Sequence, residues 1–280
     1  MAIEAGNRVP SAAAHGKHGH SLISGEKFRQ LYAMALKLQM VGEHGVGWLR
    51  GREAVLAGVA ADLKSDDRVV AEYAGSVDEI ARGETGRSLD RRSLEERVIV
   101  ALGDAVGDRM RKTNRVTAIF LDAAQNGKIL QEARALAIDA KLPVLLVEYG
   151  NAKKPLAGKK KKPAVLGHPS IPVDTQDVIA LYRVAHESIT RAREGSGPTH
   201  IVGVRWQPAA AKSGQRSAKV KTEDAIVHLE HWLTARGLPA AEWRQEIIAE
   251  LKAESSGRNF GMQNSVDGVM KEERREQRIA

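Results

Sequence analysis

Two residues stand where hard-cation chemistry could be done. Asp122 follows directly on the compact apolar run Val116–Leu121, and Asn151 follows the run Pro143–Val147 by way of Glu148 and Gly150. In an open parallel sheet, ligands collect outside the carboxyl ends of the strands. An Asp and an Asn delivered by adjacent strand ends can therefore converge on one point. Their oxygens suit Mg²⁺, which takes few protein ligands and completes its octahedron with phosphate and water oxygens. The same residue types also serve as helix N-cap and turn residue, so spacing alone leaves both roles open. His15, His18 and His20 lie on an Ala- and Gly-rich segment without period and offer at most an unselective metal site. No Cys is present, which excludes disulfides, thiolate metal sites and a cysteine nucleophile.

The elements that must position Asp122 and Asn151 are legible around them. The runs Val116–Leu121 and Pro143–Val147 are each too short for a helix, while Ile129, Leu130, Ala133, Leu136 and Ala137 between them recur at helical spacing. Strand, helix and strand make a βαβ unit with parallel strands and a right-handed crossover. Thr199–Val204 is a third strand, preceded by a helix from about Gln176 to Glu194 that Gly195 and Gly197 end. Upstream, Phe28, Leu31, Tyr32, Ala35 and Leu38 give an amphipathic helix with Ser24 as N-cap, and Ala54, Val55, Val59 and Leu63 give a second. Downstream, Ile226, Leu229, Trp232 and Leu233 mark one helix closed by Gly237 and Pro239, and Trp243, Ile247, Ile248 and Leu251 mark another. The expected fold class is α/β, a parallel sheet with helices on both faces and a C-terminal helical extension. The domain plan is a flexible tail over 1–23, an α/β domain over 24–206, a linker or loop over 207–222, C-terminal helices over 223–254 and a charged, disordered tail over 255–280.

With 280 residues the chain can hold one sizeable core. Only 4% of residues are aromatic, so that core must rest on Leu, Ile, Val and Ala. The formal net charge of +8 is not laid out as a nucleic-acid surface: its densest run, Lys159–Lys162, lies between Pro155 and Pro163 with no interleaved aromatic side chains for base stacking. No stretch reaches the roughly 20 apolar residues that span a bilayer, and no secretory signal pattern opens the chain. A cytoplasmic protein without membrane or nucleic-acid partners is expected.

Four blocks in order resemble the alpha subunits of thiamine-diphosphate-dependent 2-oxoacid dehydrogenases of the pyruvate, branched-chain and acetoin type. Leu121–Asn151, LDAAQNGKILQEARALAIDAKLPVLLVEYGN, is similar to the cofactor motif of that family, with Glu132, Ala133, Ala137, Lys141, Leu142 and Pro143 in register. Gly51–Tyr73 resembles the family's Gly-Gln-Glu-Ala segment leading into Tyr-Arg. Ile171–Ile201 is the strongest block, and Glu223–Leu238 resembles the C-terminal helical segment. The resemblance implies the thiamine-diphosphate-binding fold, thiamine diphosphate with Mg²⁺ as cofactors, and a beta-type subunit as partner in a heterotetramer, with self-association. It places Tyr73, Asp122, Ala123 and Asn151 at the cofactor and Asp122 and Asn151 on the metal. No catalytic residue carries over.

The departures fall on the groups that grip the cofactor. Leu121 and Ala123 replace the glycines flanking the family's metal-binding Asp, and Gly150 replaces the first Asn of its pair. Ala74 stands where the family has a diphosphate-binding Arg, and Ser76 where a His follows. Ser88–Val100 has no glycine where the family carries a Gly-rich stretch, and Arg205–Lys221 has no histidine where it carries an active-site loop. His200, inside a strand, reads as a packed residue rather than a base. The function so implied is the alpha subunit of a complex that oxidatively decarboxylates a 2-oxoacid and passes the acyl group to lipoamide, with catalysis impaired or lost. The alternative is a non-catalytic structural or regulatory paralogue, a pseudoenzyme, that pairs with a beta-type subunit.

Overall fold

The computed structural model describes residues 23–43, 49, 51–71, 92–149, 170–204 and 224–257. Helix α1 (Gly25–Glu43) comes first, and Ser24 caps it, its Oγ accepting from the Lys27 N–H at 3.1 Å. Every residue of helix α2 (Glu53–Ala60) is buried; a helix this apolar all round must lie inside a protein. Then follow β1 (Arg68–Val70), α3 (Leu94–Arg111), β2 (Thr117–Asp122) and α4 (Ala123–Asp139). After them come β3 (Val144–Tyr149), β4 (Ser170–Asp174), α5 (Val178–Arg193) and β5 (Thr199–Val204). Helices α6 (Ala225–Thr234) and α7 (Ala240–Gly257) end the described chain.

The strands form one five-stranded sheet in the order β1-β2-β3-β5-β4, and every pairing is parallel. Side chains alternate across a strand, and the two faces fill separate cores. Ala118 and Phe120 of β2 and Leu145, Val147 and Tyr149 of β3 face a core shared with α1, α2, α5, α6 and α7. Ile119 and Leu121 of β2 and Val144 and Leu146 of β3 face a second core closed by Val98, Ala101, Leu102 and Ala105 of α3 and Leu130, Ala133 and Ala137 of α4. The α/β class, with helices on both faces, is as the apolar runs predicted.

On the first face α2 packs against α5, and their crossing is close. A Cβ at Gly58 would lie 2.7 Å from Leu181 Cβ and 3.1 Å from the backbone of α5. Two edge strands and one helix add to the elements read from the sequence. Strand β1 has only three residues, and β4 carries Pro172, whose missing N–H is tolerated on an edge. Helix α3 begins within the charged segment Ser88–Val100. Ser93 and Glu96 form a capping box there, each side chain bonded to the other's backbone N–H.

Among the described residues no helix is long and apolar enough to cross a membrane. Residues 1–22 and 258–280 of the tails, the Lys159–Lys162 loop and all of the 207–222 linker lie outside the described residues, while 255–257, expected in the tail, belong to α7.

Candidate functional site

Alternation decides what Asp122 faces. It lies two residues beyond Phe120 on β2 and sits opposite Tyr149 of β3 in the parallel register. Its side chain therefore belongs to the face covered by α2, not the face of α3 and α4. The residue just before α2 is Arg52. Its Nη2 lies 3.5 Å from Asp122 Oδ2, with the two side chains 21% and 11% exposed. The same guanidinium stacks over the Tyr149 ring, 4.6 Å from its centroid. A guanidinium over an aromatic face is attracted by the ring quadrupole, more strongly where water is excluded. Carboxylate, guanidinium and phenol thus form one compact layer at the carboxyl ends of β2 and β3.

The local chain fixes Arg52 there. Gly51 adopts φ +77°, a conformation that glycine tolerates and most residues do not. Its N–H donates to Glu53 Oε1 at 3.0 Å, and the Arg52 N–H donates to the Leu49 carbonyl at 2.9 Å. The turn before α2 is therefore tied to the chain on both sides. The helix it opens cannot shift easily, because all its residues are packed.

Of the residues expected at the site, Asp122 is the last residue of β2 and is 8% exposed. Ala123 opens α4 immediately behind it. Tyr73 and Asn151 lie outside the described residues, as do Ala74, Ser76 and Gly150. Leu121 does not crowd the Asp122 side of the sheet. It points to the opposite face, fully buried in the second core. Among the described residues no group of three His, Asp or Glu side chains is placed to hold a metal.

His200 is a packed strand residue, as its sequence position suggested. It is 4% exposed in β5, with Nδ1 3.1 Å from Ser170 Oγ of β4. Its Nε2 lies 3.2 Å from Glu148 Oε2 of β3 but out of line for a hydrogen bond. Ser170 and His200 thus join β4 to β5 on the face away from Arg52, with the Glu148 carboxylate of β3 beside the ring.

Sequence reading passed over Arg52. It stands where the resembled motif has Gln, and that substitution of a cation for an amide was the available signal. Its meaning depends on Asp122, seventy positions away in the chain.

The model of the dehydrogenase E1 component family matches residues 91–256. The alpha subunit of acetoin:2,6-dichlorophenolindophenol oxidoreductase from Bacillus subtilis is 27% identical over 223 residues, 64% of this chain and 66% of that protein. The alpha subunit of the pyruvate dehydrogenase E1 component from Porphyra purpurea is 26% identical over 287 aligned residues, covering 82% of this chain and 83% of that one. The alpha subunit of 3-methyl-2-oxobutanoate dehydrogenase from Mycobacterium tuberculosis is 25% identical over 265 residues, 80% and 72% of the two chains. The chain thus spans about two thirds of the Bacillus protein's length and more of the other two. With more than half of its residues inside the family model, the chain belongs to the dehydrogenase E1 component family.

Proposed function

We propose that the chain is an alpha-type subunit of a 2-oxoacid dehydrogenase first component that pairs with a beta-type subunit and has lost most or all of its own catalytic centre. The observation that carries this reading is the Arg52 guanidinium on the Asp122 carboxylate. Thiamine diphosphate supplies the decarboxylation chemistry when such a subunit binds it, and Mg²⁺ anchors its phosphates. Asp122 would have to ligate that Mg²⁺, yet it already faces a permanent cation. A divalent ion about 4–5 Å from a guanidinium is repelled by roughly 7–8 kcal/mol at the effective dielectric suited to sites near a protein surface. Asp122, so paired, does not fit the metal, and no reaction step is assigned to this chain.

The sequence departures point the same way. Ala74 lacks the charge-assisted contact that a diphosphate-binding Arg makes, worth roughly 1.5–3 kcal/mol. The packing frame, by contrast, is whole: both faces of the sheet are covered and their cores are continuous. A subunit that keeps its fold and loses its site retains what pairing needs, because fold and function are separable. Its expected setting is a cytoplasmic complex with a beta-type subunit and a second copy of itself.

Isothermal titration with thiamine diphosphate and Mg²⁺ tests the reading, on the chain alone and on the chain co-expressed with a candidate beta-type subunit. Stable co-purification without saturable cofactor binding to the alpha side is expected. Saturable binding that disappears in Asp122→Ala would overturn it, and so would failure to pair with such a subunit.

A further inference from the structure

We infer that Arg52 is an internal replacement for the divalent cation: its guanidinium holds metal off Asp122, and its removal re-opens the carboxylate to a hard metal ion. The inference rests on the reading above and goes past it, by assigning a metal-excluding role to Arg52.

Three features separate this contact from an incidental surface ion pair. Arg52 is held from behind by a turn bonded to Leu49 and Glu53. It is held from below by a helix whose every residue is buried. Its guanidinium packs over the Tyr149 ring, so less freedom is lost when it meets the carboxylate. Surface ion pairs contribute little because both side chains must be ordered in water. Here neither Arg52 nor Asp122 is more than about a quarter exposed, and the packing has already ordered both.

The charges also balance without a ligand. A Mg²⁺ site at a strand end normally leaves its carboxylate waiting for a cation. With Arg52 across from it, Asp122 already has a guanidinium partner in the isolated chain. Glutamine at position 52, the residue of the resembled motif, is neutral and would leave Asp122 its charge. The single exchange therefore separates a cation-seeking strand end from a self-satisfied one.

Mn²⁺ serves as the probe, a paramagnetic ion with the same preference for oxygen ligands, and binding is read from loss of the free-ion EPR signal. The full chain is titrated as wild type, Arg52→Gln, Asp122→Asn and R52Q/D122N, each checked by far-UV circular dichroism. Wild type and D122N should take up Mn²⁺ equally weakly. R52Q should bind at least about tenfold more tightly than wild type, and R52Q/D122N should fall back to the wild-type level. Where R52Q does not fold, Arg52→Met, which keeps an apolar stem against Tyr149, carries the same comparison.

A folded R52Q with no gain over wild type overturns the inference and leaves the proposed function standing. A gain that survives in R52Q/D122N also overturns it, since the metal would then sit elsewhere. Uptake by the wild-type chain that D122N abolishes overturns the inference and the functional reading together.

Discussion

Removing the Asp67 carboxylate should destabilise the fold more than any other single charge deletion among the described residues. Asp67 precedes β1, and its side chain has no solvent exposure. Arg193, the last residue of α5, meets it with two parallel bonds, Nη1 to Oδ1 at 3.0 Å and Nη2 to Oδ2 at 2.6 Å. The N–H of Val116, just before β2, donates to Oδ1 at 2.8 Å. The N–H of Lys64 donates to Oδ2 at 2.7 Å. One carboxylate thus joins α5 to the amino ends of two strands, at the end of the sheet opposite Asp122.

In Asp67→Ala two backbone donors lose their acceptor and a guanidinium only 16% exposed loses its counter-ion. Breaking one side of a buried pair costs about 3–5 kcal/mol, because the remaining charge stays buried without compensation. For a chain of this size that is a fall in Tm of roughly 6–20 °C. The paired substitution D67A/R193A should cost at most ~1 kcal/mol more than D67A, because it removes the stranded charge as well. Thermal denaturation followed by circular dichroism at neutral pH, with urea titration as a check, reads both quantities. A D67A loss below about 1 kcal/mol, or strict additivity in the double variant, would refute the reasoning. Either would mean that desolvation of the two ions cancels their attraction and their hydrogen bonds.

Gly203→Ala should lower stability by about 3 kcal/mol in urea titration, since its Cβ would come within 2.5 Å of the Glu148 carbonyl and 2.8 Å of Thr175 Cγ2, pushing β3 and β5 apart. Gly58→Ala should cost about 1–3 kcal/mol by the same measurement and should also loosen Arg52, because a Cβ 2.7 Å from Leu181 lifts α2 off α5; limited proteolysis at the turn before α2 reads the second effect. For Asp108, burial opposes ionisation, but the hydrogen bonds from Arg68 and Arg111 outweigh it and hold the carboxyl below its ordinary value. That contribution is complete above the unfolded carboxylate value of about 3.9 and is lost as the pH falls through the lower folded value. Asp108→Asn should therefore be less stable at neutral pH and show a shallower acid limb below pH ~4 in pH-dependent urea titration.

Much of the frame was legible because it is written in short-range pattern. The runs Val116–Leu121 and Pro143–Val147 are apolar on both sides, as strands buried on both faces must be, and they fold as β2 and β3. The helix from Gln176 to Glu194 was set by its apolar face and by the glycines beyond it, and α5 spans Val178–Arg193 with Gly195 and Gly197 at positive φ. Helix α3 was legible too and went unread: Val98, Ala101, Leu102 and Ala105 recur at helical spacing behind the Ser93–Glu96 capping box. Strands β1 and β4 were hidden because neither has the length or alternation to be a strand alone. Their backbone pairing to β2 and β5 makes them strands.

The site divides along the same line. The sequence by itself placed Asp122 at a strand end, since an acidic residue closing an apolar run is a local statement. It also fixed family membership, because four blocks in order record ancestry whatever the side chains now do. Only the tertiary structure decided what Asp122 meets. Whether it faces α2 or α4 depends on the alternation of β2, and whether Arg52 reaches it depends on how α2 packs on α5. Contacts between residues seventy positions apart leave no periodic trace in a sequence. The two charges became one layer with Tyr149 only when the strand register set Asp122 beside it.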